Sequence, residues 1–175
     1  MVTLMIFISL ARVKEVLGIV TTEYDDLLNF YISAISTGFK TYCGRDFELK
    51  DRVETICIRS DQSGFLLSET PIDSITQIEN YPGTYSFTSW GGIFLDIALS
   101  EAKLLKVSYK AGYSTAPDDL ALACLNEVVR LFQTRDSRKD LISERIGTYG
   151  YEVRMEDGFS IETKQILEAY RRKTG

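Results

Sequence analysis

Histidine is absent from the 175 residues. With it go the commonest general acid or base near neutral pH, the commonest metal ligand, and every catalytic triad built on imidazole. Cysteine is scarce: Cys43, Cys57 and Cys124 are far apart, odd in number and form no CxxC pair. That spacing excludes a zinc knuckle or a disulfide framework and fits apolar thiols in a reducing compartment. Surplus positive charge is missing too, since 25 acidic residues face 20 basic ones for a net charge of -5. Wrapping of DNA or RNA needs a basic face, so composition argues against that role. No run approaches the roughly 20 apolar residues of a membrane span. Val2–Ile8 is apolar but short, and no Lys or Arg precedes it as in a signal peptide; it is expected to pack on the domain or on a neighbour.

What is present is ample material for a core: 45% hydrophobic residues and 11% aromatics, ten of them tyrosine. The chain is short enough for one domain, 1–175. Periodicity predicts a short helix over 9–17, stopped by Gly18. A longer helix is expected over 22–43, with Thr22 as N-cap and Gly44 as terminator. Tyr24, Leu28, Tyr31, Ile35, Phe39 and Tyr42 recur at alternating spacings of four and three, so they share one face.

Between about 47 and 113 the period shortens and turn signals multiply. Strands are expected at Val53–Ile58, Phe65–Leu67, Ile75–Ile78, Phe87–Trp90, Ile93–Leu95 and Leu105–Tyr109, with a hairpin at Gly91-Gly92. Pro117 followed by Asp118 and Asp119 opens a helix over 117–136 whose Leu120–Leu125 run is apolar on nearly every side. Ser160 caps a last helix over 159–173, with Glu168 and Arg172 spaced to pair. The expected architecture is α+β: mainly a helical bundle core (9–45 and 117–173) with a small antiparallel β insertion at about 46–114.

Candidate chemistry is thin. The carboxylate pairs Asp25/Asp26 and Asp118/Asp119 lie in first helical turns, where acids complement the helix dipole. No GxGxxG, P-loop, SxxK or GxSxG pattern occurs. The basic cluster Arg130, Arg135, Arg138 and Lys139 is broken by Asp136 and Asp140. Neither a catalytic residue, a cofactor site nor a metal site is assigned. The segment over 143–157 reads as an extended arm or edge strand, which could add a strand to a neighbouring subunit or fold back as a hairpin on its own sheet; on the first reading its Glu144, Arg145, Ile146, Tyr149 and Tyr151 are the candidate subunit-contact residues, since tyrosine is enriched at interfaces.

Taken in order, these segments resemble the tailed-phage head-to-tail connector proteins, also called head-completion or adaptor proteins. ISLARVKEVLGI and TTEYDDLLNFYISAISTGFKTYCGRDF resemble their N-terminal helix pair, which closes on Tyr42, Cys43, Gly44, Arg45 and Phe47. LLSETPIDSITQI is similar to a further family segment through Leu66, Leu67, Pro71, Ile72, Ser74, Ile75 and Ile78. VSYKAGYSTAPDDLALACLNEVVRLF and SERIGTYGYEV complete the series, which covers Ser9 to Val153. The resemblance implies a structural protein that catalyses no reaction and needs no cofactor. It implies a ring of about a dozen copies that docks on the portal after DNA packaging, extends the DNA channel, touches DNA passively and receives a stopper or the next connector. The expected location is the virion at the head-tail interface, after assembly in the host cytoplasm, with no membrane contact. The rival readings are another virion part such as a tail-end or neck protein, a nucleic-acid-binding module, and a hydrolase with an unusual Ser/Lys or Tyr site.

Overall fold

The computed structural model describes residues 5–135 and 158–172. They fall into two compact units, one formed by residues 5–44 with 116–135 and 158–172 and the other by 45–115.

In the helical unit, α1 (Leu10–Leu17) begins where the Ser9 hydroxyl accepts the Arg12 amide at 3.3 Å, and ends at Gly18, whose φ of 67° turns the chain left-handed. α2 (Asp25–Cys43) ends the same way at Gly44. The expected cap at Thr22 is not used: α2 starts three residues later, behind Tyr24, with no side-chain cap. Its buried stripe is Leu28, Ile32, Ile35, Phe39 and Cys43, while Tyr31 and Tyr42 are half-buried. Phe7 of the apolar lead-in is buried, with its ring 5.5 Å from Phe39. α3 (Asp118–Thr134) packs against both earlier helices and against α4 (Ile161–Tyr170). Ser160 caps α4 as expected, accepting the Thr163 amide at 3.2 Å. Glu168 pairs with Arg171 at 2.9 Å.

The β unit holds six strands: β1 (Lys50–Ile58), β2 (Gly64–Leu66), β3 (Ile72–Glu79), β4 (Tyr85–Phe87), β5 (Gly92–Leu95) and β6 (Lys103–Ala111). They form two three-stranded antiparallel sheets, ordered β1-β6-β3 and β2-β5-β4. β6 alternates as its sequence demands, with Leu105, Val107, Tyr109 and Ala111 buried and Leu104 and Lys106 exposed. Residues from both sheets meet in one core of Ile58, Phe65, Leu67, Ile72, Ile78, Ile93, Leu95, Leu105, Val107, Tyr109 and Ala111. Full burial of such side chains contributes about 1.5–3 kcal/mol each.

This corrects the expected architecture. The molecule is not mainly a helical bundle core with a small antiparallel β insertion; the two sheets are substantial and enclose an apolar core of their own. Individually, β2, β4 and β5 are three or four residues long and read as fragments between turns. Stacked against a second sheet, each contributes an inward residue, and together they close a core.

Gly112 shows how tightly the unit is built. Its φ is +118°, and any side chain there would collide with the Glu48 carbonyl. The approach is set by neighbouring hydrogen bonds: the Tyr113 amide donates to the Phe47 carbonyl at 2.7 Å, and the Leu49 amide to the Tyr113 carbonyl at 3.0 Å.

Candidate functional site

Of the two carboxylate pairs singled out in the sequence, one member of each ties two helices together. Asp25 takes the Lys14 ammonium at 2.6 Å, fastening α1 to α2. Asp119 accepts its neighbour Leu120's amide at 2.8 Å and, through both oxygens, the Tyr170 hydroxyl at 2.8 Å, fastening the start of α3 to the end of α4. Among the described residues no group of His, Cys, Asp or Glu is placed to hold a metal ion. Cys43 and Cys124 are buried, and burial pushes the Cys124 thiol up to about 12, so it stays protonated and inert. Cys57 is exposed on β1, and no disulfide joins any of the three cysteines.

Two residues of the basic cluster are engaged chiefly along α3 itself. Arg130 reaches Glu127 through two nitrogens, at 2.9 and 2.6 Å, and donates to the Gly158 carbonyl at 3.1 Å. Arg135 lies 3.7 Å over the Phe132 ring and 5.1 Å from that of Tyr24, and donates to the Phe132 carbonyl at 2.6 Å. Arg138, Lys139 and the arm residues Glu144, Arg145, Ile146, Tyr149 and Tyr151 lie outside the described residues.

Two features were not singled out from the sequence. The first is Glu127, which is 1% exposed in the middle of α3. Its second oxygen accepts the Ser160 amide at 2.8 Å, so this carboxylate also caps α4. Burial by itself would raise its pKa; the Ser160 amide, Arg130 and the Ser160 and Thr163 side chains outweigh that and hold it below the ordinary value. An acid inside the apolar run LALACLNEVVRLF was the available signal.

The second is the outer face of the β2-β5-β4 sheet. Leu66, Trp90 and Phe94 stand exposed there, with the Trp90 and Phe94 rings edge-to-face at 6.4 Å. Alternation along β5 was the signal: Ile93 and Leu95 point inward, so Phe94 must point out. The arrangement offers side-chain ties and an exposed aromatic face, a set suited to holding proteins together.

Comparison with known proteins agrees with this character. No curated protein sequence matches the chain. Among solved structures, a chain from the neck of an empty GTA particle, computed with C6 symmetry, matches with a TM-score of 0.51 at 12% identity, over 95% of this chain and 90% of that one. At that identity the likeness is one of fold. A model of the head completion proteins matches residues 6–173, which takes in both units and bears out the resemblance read from the sequence: the chain belongs to the head completion protein family.

Proposed function

We propose that this chain is a subunit of a ring that docks on the portal at the capsid vertex after DNA packaging, extends the DNA channel and presents a platform to the stopper or tail. The observation that carries the reading is family membership across residues 6–173, which makes the chain a structural virion protein of the head-to-tail connection. Three features support the finer statement. Asp25 and Asp119 are spent on ties between helices, and Arg130 on a pair within α3. The net charge of -5 suits a channel wall along which DNA slides without sticking. The GTA neck was computed with C6 symmetry, a ring symmetry, on a similar fold. Subunit contacts through Glu144, Arg145, Ile146, Tyr149 and Tyr151 belong to this proposal, on the strength of their aromatic, glycine-bearing sequence. In this reading the protein catalyses no reaction, and it reaches the virion from the host cytoplasm.

The test is solution mass with and without the cognate portal, followed by negative-stain imaging. A ring on the portal is the expected result; a protein that stays free of portals under joining conditions overturns it. Ile146→Ser with Tyr149→Ser should abolish ring closure, and unchanged assembly removes that segment from the subunit contact.

A further inference from the structure

Between Ser60 and Ala102 the chain has no lysine and no arginine, while Asp61, Glu69, Asp73, Glu79, Asp96 and Glu101 are all acidic. This stretch builds β2, β3, β4 and β5, and so includes every strand of the second sheet. Its outer face carries Leu66 at 65%, Trp90 at 59% and Phe94 at 49% exposure. Large apolar side chains clustered on a surface are uncommon on a free protein and mark a place of contact.

Trp90 is held for presentation. The turn from Thr88 to Gly92 closes through the Thr88 amide on the Gly92 carbonyl at 2.9 Å, the Gly91 amide on the Thr88 carbonyl at 3.1 Å, and the Gly92 amide on the Thr88 hydroxyl at 3.1 Å. Gly91 has a φ of +105°. A Cβ on Gly92 would stand 2.6 Å from the Trp90 ring and 2.9 Å from the Thr88 hydroxyl, so the indole occupies room that a side chain there would take. Phe94 braces it from the side. An exposed tryptophan fixed in this way loses little rotamer freedom on binding, which is the property of an interface anchor.

The charge decides what binds. Asp96 lies two positions after Phe94 and is exposed; hydrogen bonds from Thr84 and then Tyr81 hold it down to about 2, so it is ionised at any working pH. Nucleic acid and anionic lipid headgroups are repelled by such a face. A second copy apposed by the same face would bring acid to acid. Of the exposed bases of this chain, Arg12, Lys106 and Arg171 are engaged with its own Glu15, Glu79 and Glu168, while Arg59 and Lys103 flank the stretch that builds this sheet.

We infer that the outer face of the β2-β5-β4 sheet, through Leu66, Trp90 and Phe94, docks a different protein of the head-to-tail junction, one that offers an apolar projection flanked by lysines and arginines. The inference rests on the connector reading above and adds to it a named surface and the chemistry of its partner.

A photo-crosslinking benzoyl-phenylalanine in place of Phe94 tests it in joined particles. The expected product is a cross-link to another virion protein, within a segment containing Lys or Arg. Hydroxyl-radical footprinting of the unaltered protein runs beside it, so that misfolding of the substituted chain does not decide the matter. Trp90 is the only tryptophan of the chain. Its oxidation should fall about tenfold on joining and stay constant when the free protein is concentrated. Cross-links to a second copy or to DNA overturn the inference, as does full oxidation of Trp90 inside particles that contain the protein. If the protein never enters particles, the connector reading falls as well; if it enters with Trp90 unprotected, only the docking surface falls.

Discussion

The two units solve the problem of internal order in opposite ways. Each fully buried polar residue of the described chain, Ser36, Glu127 and Thr163, belongs to the helical unit. The apolar cluster of the β unit contains the Tyr109 hydroxyl, which donates to Glu54 at 3.0 Å, and the buried polar atoms outside that cluster include guanidinium nitrogens of Arg45 and Arg52. Directional bonds in a buried place fail sharply when one partner is removed, because the other is left without an acceptor. An apolar core loses stability in proportion to the volume removed and accepts swaps of similar shape. The helical unit should therefore be brittle at one residue, and the β unit graded over many.

The largest expected effect is that of Glu127→Ala. It strips the acceptor from Arg130 and from the Ser160 amide together, at a cost of about 4 kcal/mol. Chemical denaturation should show the loss, and hydrogen exchange should show α4 opening first. Retained protection over Ile161–Tyr170 would break the contrast between the units. Next comes Leu105→Ala in the β core, expected to cost about 3 kcal/mol, whereas Leu105→Met should stay under about 1.5 kcal/mol. A comparable loss from both would deny the graded behaviour.

Acid supplies a third, smaller contrast. Glu127 has a folded pKa below its ordinary 4.5, so its contribution is complete above that value and disappears as pH falls through the folded pKa. Helical ellipticity at 222 nm should then fade before the fluorescence of Trp90, the single tryptophan, which lies in the β unit. Simultaneous loss of the two signals would mean that the units do not respond separately. Asp96→Asn should do least. It weakens an exposed tie to Tyr81 and Thr84, leaves the melting midpoint in place, and speeds exchange of the Ile97 amide, which now donates to the Tyr81 hydroxyl at 3.0 Å.

Much of the local structure was legible in the sequence. Helix ends at Gly18 and Gly44, the cap at Ser160 and the alternation of β6 obey one-residue rules and appear where expected. The weight of the β part was not legible. Sheet formation depends on partners distant in sequence, as when Gly64–Leu66 pairs with Gly92–Phe94, and no local pattern records that pairing. The same reason hid the surface at Trp90. A glycine pair reads as a turn, and only the folded register shows that one of those glycines makes room for an indole. Glu127 was hidden differently: helical periodicity ranks residues by hydropathy, so an acid inside the stripe is read as noise until its partners, 33 residues away at Ser160, are known.

The order of elements along the chain has a consequence for synthesis. The β unit is contiguous, running from Arg45 to Thr115, whereas the helical unit draws on the chain at both sides of it. As the polypeptide leaves the ribosome, the two sheets have all their strands by residue 111. α1 and α2 are by then already made and still lack α3 and α4, which cover them. Phe39 illustrates the delay: its ring sits 5.0 Å from that of Phe159, which emerges 120 residues later. The nascent chain thus carries a finished sheet unit beside an unfinished helix pair, and translation of the last helix is the event that completes it.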